Sequence, residues 1–260
     1  MFRHFFKRQA RRTSPPRAPA GLRLYAIGDI HGRVDLLEQL HIMIQDDASC
    51  NSKATQTVAV YLGDYIDRGP ESRPVIDLLL EDPLAGFEVV HLKGNHEDAL
   101  LRFMDDASFG PDWFAIGGDA TALSYGVHIP SGLTSTQRFE HIREELSVRI
   151  PERHFAFFKN LELMHRADDY VLVHAGIRPG VPLDEQDPND LMWIRDEFLT
   201  ANDTDGKVIV HGHSLSAQPE ILEHRIGIDT GAYASNVLTC VVLEGVERRF
   251  LSTPATRPKN

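Results

Sequence analysis

The sequence predicts an α/β domain rich in sheet, with strands that are at least partly parallel and buried on both faces. Two observations predict this class. Three strand–loop–helix units follow one another from residue 22, and further apolar strand patterns recur in the second half of the chain. Because no linker or shift in composition interrupts residues 21–252, we expect one domain there, with a flexible basic tail at 1–20 and a flexible tail at 253–260.

The first half of the domain alternates short apolar runs with segments whose apolar residues recur at helical spacing. Each apolar run ends in polar residues, which is typical of a strand that enters a loop before the next helix. Pro74 falls in the first turn of the second helical segment, where its missing N–H is tolerated. The predicted strands are 24–27, 58–62 and 87–92, and the predicted helices are 34–44, 71–80 and one through 100–104.

The second half begins with a less regular stretch and then returns to apolar strands. Residues 106–165 predict helices, with loops at 117–118 and 130–132. The strands that follow are predicted from short β-branched and apolar runs, the last of them forming a hairpin across Glu244-Gly245. They lie at 170–173, 208–210, 225–229, 237–243 and 246–251.

Composition and charge exclude several classes of protein. The 260 residues carry a net charge of -11, and the first twenty contain six basic residues and no acid, so the body carries -17. Such a body does not bind nucleic acid through a general basic surface. No apolar run approaches the roughly 18 residues of a membrane span, so we expect no stable membrane insertion and interpret the tail as a solvated arm. Cys50 and Cys240 match no disulfide or metal spacing, which predicts a cytoplasmic protein.

Polar residues that suit metal binding or catalysis follow the apolar strands repeatedly. The C-terminal ends of strands are where open α/β sheets place their ligands. Carboxylates, an amide oxygen and imidazoles together suit manganese, iron or zinc. These residues are Asp29, His31, Asp64, Asp67, Arg68, Asn95, His96, His174, His211 and His213.

A centre of two divalent metal ions accounts for most of this set, with manganese expected first and iron or zinc as alternatives. In this arrangement Asp64 bridges the two ions, which share a hydroxide as the nucleophile. Asp29 and His31 complete one side, and Asn95, His174 and His213 complete the other. We therefore expect hydrolytic chemistry that needs only an acid for the leaving group.

His96 and Asp67 are the candidates for that acid step. His96 follows Asn95 at the start of a predicted helix, where its ring can face the leaving oxygen. Asp67 is expected to accept the other ring N–H, which fixes the tautomer and favours the imidazolium. Two alternatives remain open: His96 as a further metal ligand, and Asp67 as a turn cap.

Three motifs resemble the phosphoprotein phosphatase branch of the calcineurin-like metallophosphoesterases. They are Gly28-Asp29-Ile30-His31-Gly32, Gly63-Asp64-Tyr65-Ile66-Asp67-Arg68-Gly69 and Gly94-Asn95-His96-Glu97. Their order and spacing agree with the family, and the resemblance continues through 174–176, 212–214 and 228–232. It implies a four-layer sandwich in which two mixed sheets are flanked by helices, and it selects His213 over His211 as the ligand.

The resemblance also implies a function and a phosphate site. Arg68 directly follows the second motif, and Arg195 resembles a phosphate-binding arginine of small phage-type relatives, while Arg178 is a weaker candidate. The implied activity is that of a serine/threonine protein phosphatase, with phosphotyrosine or a small phosphoester also accepted. The alternatives are a symmetrical diadenosine tetraphosphatase and a non-catalytic metal-stabilised scaffold or sensor. The oligomeric state is not predicted.

Overall fold

The computed structural model describes residues 14–50, 54–81, 83–202 and 204–254. The three predicted strand–helix units are confirmed in the first half of the chain. They are β1 (Leu22–Ile27), α1 (Val34–Ser49), β2 (Gln56–Tyr61), α2 (Ser72–Leu79), β3 (Glu88–His91) and α3 (Asn95–Asp105). Helices α4 (Gly110–Ala115), α5 (Gly118–Ser124), α6 (Ser135–Arg149) and α7 (Glu152–Lys159) follow.

The second half supplies the remaining strands and three short helices. The elements are β4 (Met164–Ala167), β5 (Tyr170–Val173), α8 (Pro188–Trp193), α9 (Asp196–Leu199), β6 (Val208–His211), β7 (Glu220–Ile221), β8 (Arg225–Gly227), α10 (Ala232–Ser235), β9 (Thr239–Glu244) and β10 (Glu247–Ser252). The sequence did not predict β4 and β7. Both lie at sheet edges, where β7 is exposed and β4 has one buried residue, Ala167, so they lack the apolar pattern by which the other strands were recognised.

Two five-stranded mixed sheets form the centre of the fold. The first has the order β10-β9-β1-β2-β3, with β1, β2 and β3 parallel and β9 antiparallel to β1. The second has the order β4-β5-β6-β8-β7, with β5, β6 and β8 parallel. Parallel strands of both sheets therefore direct their C-terminal ends to loops that can share one site.

The alternation of side chains along the strands generates the layers. In β1, Leu24 and Ala26 face the second sheet, whereas Tyr25 and Ile27 pack with α1 and α2. In β5, Tyr170 joins the core between the sheets, and its neighbour Val171 packs with α8 and α9. The predicted four-layer sandwich, with helices outside two mixed sheets, is confirmed.

The predicted tails extend outside the described ranges at 1–13 and 255–260. Within the predicted N-terminal tail, Ala18 is fully buried and its N–H donates to the carbonyl of Gly245 at 2.8 Å. Thr253 is 2% exposed and accepts a hydrogen bond from the Leu238 N–H. The packed domain therefore includes residues on both sides of the predicted 21–252 boundaries.

Two further features bear on the predictions from composition. Among the described residues, no helix combines the length and the apolar character needed to cross a bilayer. Cys50 is exposed and Cys240 is buried, and both are free thiols.

Candidate active site

The predicted site residues converge where strands of both sheets end. Asp29 and His31 follow β1, Asp64 follows β2, Asn95 and His96 open α3, His174 follows β5, and His213 follows β6. All seven side chains are at least 94% buried. The structure thus brings together every proposed metal ligand, along with the proposed acid.

Unusual backbone conformations accompany this convergence. Among the described residues, eight other than glycine have positive φ, and five of them belong to the predicted site. They are His31 (φ 46°), Asp64 (φ 54°), Asp67 (φ 69°), Arg68 (φ 67°) and His213 (φ 58°). Left-handed backbone at non-glycine residues is costly and persists where the surrounding structure fixes it.

Two motif glycines allow the backbone to approach the carboxylates closely. A Cβ at Gly94 would lie 2.1 Å from Asp64 Oδ1, and one at Gly212 would lie 2.0 Å from Asp29 Oδ1. Neither position leaves space for a methyl group. These glycines therefore form part of the walls that hold the two acidic side chains.

The two carboxylate oxygens of Asp64 face different histidines. Oδ2 lies 3.6 Å from His31 Nε2 and 3.7 Å from His96 Nε2, whereas Oδ1 lies 3.4 Å from His174 Nε2. Two groups of potential ligand atoms result: His31, Asp64 and His96 form one, and Asp64, His174 and His213 form the other. Asp64 is the member common to both groups, as expected of a bridging ligand.

Hydrogen bonds fix which ring nitrogens are available to a metal. His31 Nδ1 donates to the carbonyl of Ile66, and His174 Nδ1 donates to that of Leu62, both at 2.9 Å. In a neutral ring, Nε2 then carries a lone pair, and in both residues it faces Asp64, whose oxygens are acceptors when ionised. A cation between acceptors that face one another in a buried site stabilises them, so these residues fit a metal centre.

Asn95 and Asp29 are the other predicted oxygen ligands. Asn95 Oδ1 lies 2.9 Å from His174 Nε2 and 2.8 Å from His213 Nδ1. The carboxylate of Asp29 accepts from the backbone N–H of His213 at 3.0 Å. These contacts connect the loop after β1 to the loop after β6.

The electrostatics of the site also favour a bound cation. Burial, followed by the charges of Asp229 and Asp64, raises the pKa of Asp29. Burial and the charge of Glu97 raise the pKa of Asp64. Burial lowers the pKa of His174 to about 3, so its imidazole is neutral at physiological pH, as a metal ligand must be. Positive charge between these groups would stabilise the ionised carboxylates.

Asp229 and Glu97 are acidic residues of the site that our sequence reasoning did not assign. Asp229 is 2% exposed, and its carboxylate accepts from the Gly231 N–H at 2.9 Å. Glu97 accepts from the N–H groups of Asp64 and Gly94, each at 3.0 Å, which orders the loops that carry the predicted ligands. The position of Glu97 at the end of the third motif was the sequence feature from which its place in the site could have been predicted.

The expected pair of His96 and Asp67 is present. His96 Nδ1 lies 2.7 Å from Asp67 Oδ2, which leaves Nε2 facing the site. We expected Asp67 to favour the imidazolium, but burial and the charges of Arg68 and Arg195 lower the pKa of His96. Burial also raises the pKa of Asp67 to about 7. The predicted contact is present, while burial outweighs the predicted effect on protonation.

Arg68 and Arg195 are exposed beside the buried centre. Burial and the charge of His174 lower the pKa of His213 most, and the charges of Arg195 and Arg68 lower it further. The Arg68 guanidinium lies over the ring of Tyr233, 4.9 Å from its centroid, and that ring makes an edge contact with His31. Within the described part of the chain, neither guanidinium donates a hydrogen bond to the protein. Their donors are therefore available to an anion.

Arg178 and His211 have other partners. Arg178 makes a bidentate ion pair with Asp190 at 2.5 and 2.6 Å. His211 is buried against Phe198, and its Nε2 lies 3.3 Å from an Arg225 nitrogen. Both residues are thus engaged outside the cluster of proposed ligands.

Comparison with known proteins identifies the family. The model of the calcineurin-like phosphoesterase family matches residues 22–229. The chain belongs to this family, a group of metal-dependent phosphoester hydrolases that use a dinuclear metal centre.

Relatives and solved structures resemble the chain over most of its length. The chain is 26% identical to the bis(5'-nucleosyl)-tetraphosphatase PrpE [asymmetrical] of Oceanobacillus iheyensis, over 91% of this chain and 94% of that protein. A candidate diadenosine tetraphosphatase has a similar structure, with a TM-score of 0.58, 20% identity, and coverage of 88% of this chain and 93% of its own. A serine/threonine phosphatase from Saccharomyces cerevisiae gives a TM-score of 0.54 at 14% identity, with coverage of 92% and 82%.

Proposed function

We propose that the chain hydrolyses phosphoesters at a two-metal centre in which Asp64 is shared by both ions. The observation that supports this most directly is the division of the Asp64 oxygens between His31 on one side and His174 on the other. The proposed ligands are those predicted from the sequence: Asp29, His31, Asp64, Asn95, His174 and His213. When bound, the two ions would supply a nucleophilic hydroxide at neutral pH and offset charge on the phosphoryl group.

The chain's own residues bind the phosphoryl group and assist departure of the leaving group. The free guanidinium donors of Arg68 and Arg195 are suited to bidentate contacts with phosphoryl oxygens. His96 presents Nε2 to the site and, once protonated, can donate that proton to the leaving oxygen. Asp67 orients the ring through Nδ1, and a carboxylate partner there suits an acid and a metal ligand alike. His96 also lies with His31 and Asp64 in one group of potential ligand atoms. We keep the acid role for His96 that the sequence predicts.

Two substrate classes follow from different observations. The motifs support a serine/threonine protein phosphatase, and the exposed arginines suit a phosphoryl group carried on a protein surface. The relatives' name supports dinucleoside tetraphosphate hydrolysis, and it specifies asymmetrical cleavage instead of the symmetrical cleavage predicted from the sequence. The relatives match over nearly the full chain, so we propose dinucleoside tetraphosphates as a second candidate substrate.

A parallel assay separates these candidates. The 260-residue protein would be stripped with a chelator, reloaded with manganese, iron or zinc, and tested on p-nitrophenyl phosphate, phosphoserine peptides and diadenosine tetraphosphate. Asymmetrical cleavage yields ATP and AMP, whereas symmetrical cleavage yields ADP alone. Lack of turnover with every metal and substrate would favour the scaffold alternative and contradict the proposed function. The cytoplasmic location remains a prediction.

A further inference from the structure

We propose that Trp113 and Thr121 are positioning residues for the leaving-group step because they hold the carboxylate of Asp67 against His96. Both lie in the α4–α5 segment, outside the three motifs. The inference rests on the proposed acid role of His96, but it gives a function to the α4–α5 segment, which the motifs do not include.

The carboxylate of Asp67 is held by three side-chain donors. Its side chain is 0% exposed. Oδ2 accepts from Trp113 Nε1 at 3.0 Å and lies 2.7 Å from His96 Nδ1, while Oδ1 accepts from Thr121 Oγ1 at 2.6 Å. An indole N–H can only donate, so Trp113 contributes a directional contact as well as apolar packing. Rotation of the carboxylate away from His96 would leave these buried donors unpaired.

Thr121 holds the backbone of Asp67 as well as its side chain. The Asp67 N–H donates to Thr121 Oγ1 at 2.9 Å and approaches Ser72 Oγ at 3.1 Å. Thr121 has one hydroxyl hydrogen, which Oδ1 of the carboxylate accepts, so across the 2.9 Å contact the Ser72 hydroxyl donates to Thr121. This network fixes a residue whose φ of 69° is otherwise unfavourable.

The glycine turn between α4 and α5 makes this arrangement possible. A Cβ at Gly118 would lie 2.3 Å from the Trp113 ring, so only glycine lets the indole occupy its position. The Gly117 carbonyl accepts from the Arg68 N–H at 3.1 Å. One turn thus orders the residues around both the proposed acid pair and the adjacent phosphate arginine.

The test compares variants that each remove one donor. Trp113→Phe removes the indole N–H, Thr121→Val removes the hydroxyl, and Thr121→Ser keeps it. Turnover would be measured on phenyl phosphate, a poor leaving group, and on p-nitrophenyl phosphate, a better one, together with metal content and thermal unfolding. We expect kcat of the first two variants to fall about 10- to 100-fold on phenyl phosphate and by a much smaller factor on p-nitrophenyl phosphate. Their metal content should be unchanged. Thr121→Ser should restore most of the loss.

Two controls make the outcomes distinct. Thr204→Val removes another buried hydroxyl, which donates to the Lys207 carbonyl away from the proposed site, and should leave the ratio of the two rates unchanged. His96→Asn should show the same leaving-group bias more strongly. If His96→Asn is biased while the Trp113 and Thr121 variants lose activity equally on both substrates, the positioning role is wrong and the acid role stands. An unbiased His96→Asn overturns both.

Discussion

Replacement of Gly94 by alanine tests how closely the backbone must approach Asp64, the proposed shared ligand. A Cβ at this position would lie 2.1 Å from Asp64 Oδ1, 2.4 Å from the Asp64 nitrogen and 2.9 Å from Glu97 Oε2. The Gly94 N–H is held by Glu97 at 3.0 Å, so the backbone is not free to retreat without the loss of that bond. The added methyl group therefore acts on Asp64.

The size of the displacement sets the expected loss. Real Cβ atoms essentially never approach a neighbour within 3.0 Å, so Asp64 Oδ1 must move by about 0.9 Å to reach even that separation. A misplacement of about 1 Å in a catalytic constellation can cost about 10²-fold in rate. We expect kcat/KM on p-nitrophenyl phosphate to fall by at least this factor, with reduced metal content, because Asp64 is the proposed ligand of both ions.

The assay would measure kcat/KM with manganese present, metal content by elemental analysis, and thermal unfolding. Gly227→Ala is the matched control, since Gly227 is also buried but its nearest neighbours lie 3.2 Å away on the side chain of His211. That variant should stay within several-fold of the parent protein. Gly94→Ala with full metal content and unchanged kcat/KM would refute the argument from close approach.

Three further perturbations test the shared ligand, the phosphate site and the stability of the fold. Asp64→Asn should lower the content of both metals and reduce turnover by about 10³-fold or more, and retention of both would contradict a shared ligand. Arg195→Ala should reduce kcat/KM by about 30- to 1000-fold without loss of metal. Arg178→Ala should have little effect, because the Arg178 guanidinium is already paired with Asp190. Equal losses in the two variants would contradict a specific phosphate-binding role for Arg195. Burial opposes ionisation of Asp47, but hydrogen bonds led by that from Arg249 lower its pKa. The ionised carboxylate of Asp47 therefore stabilises the fold fully above its unfolded pKa of roughly 4, and this stabilisation is lost as the pH falls through the lower folded pKa. Asp47→Asn should lower the free energy of unfolding in urea by about 1 to 2 kcal/mol at pH 7 and by less near pH 3. An equal loss at both pH values would contradict this.

The ligand candidates were predictable because the family motifs are local in sequence. Asp29 and His31 occupy one loop, and Asn95 and His96 occupy another, so each motif specifies its residues and their spacing without any knowledge of packing. Alternation of apolar and polar segments likewise predicted the parallel strands whose ends meet. The edge strand β4 was missed because its four residues include one buried side chain and two that are basic or ionisable, and so carry no such pattern.

The sequence by itself therefore determined the fold class and the types of ligand, since both follow from short-range patterns. The motifs predicted Asp64 between two histidine groups, and the tertiary structure decided which of its oxygens faces His31 and which faces His174. It also decided that Trp113 donates to Asp67 from 46 residues away. The physical reason is that hydrogen bonds and lone-pair directions depend on distances and angles between side chains, which separation along the chain does not fix.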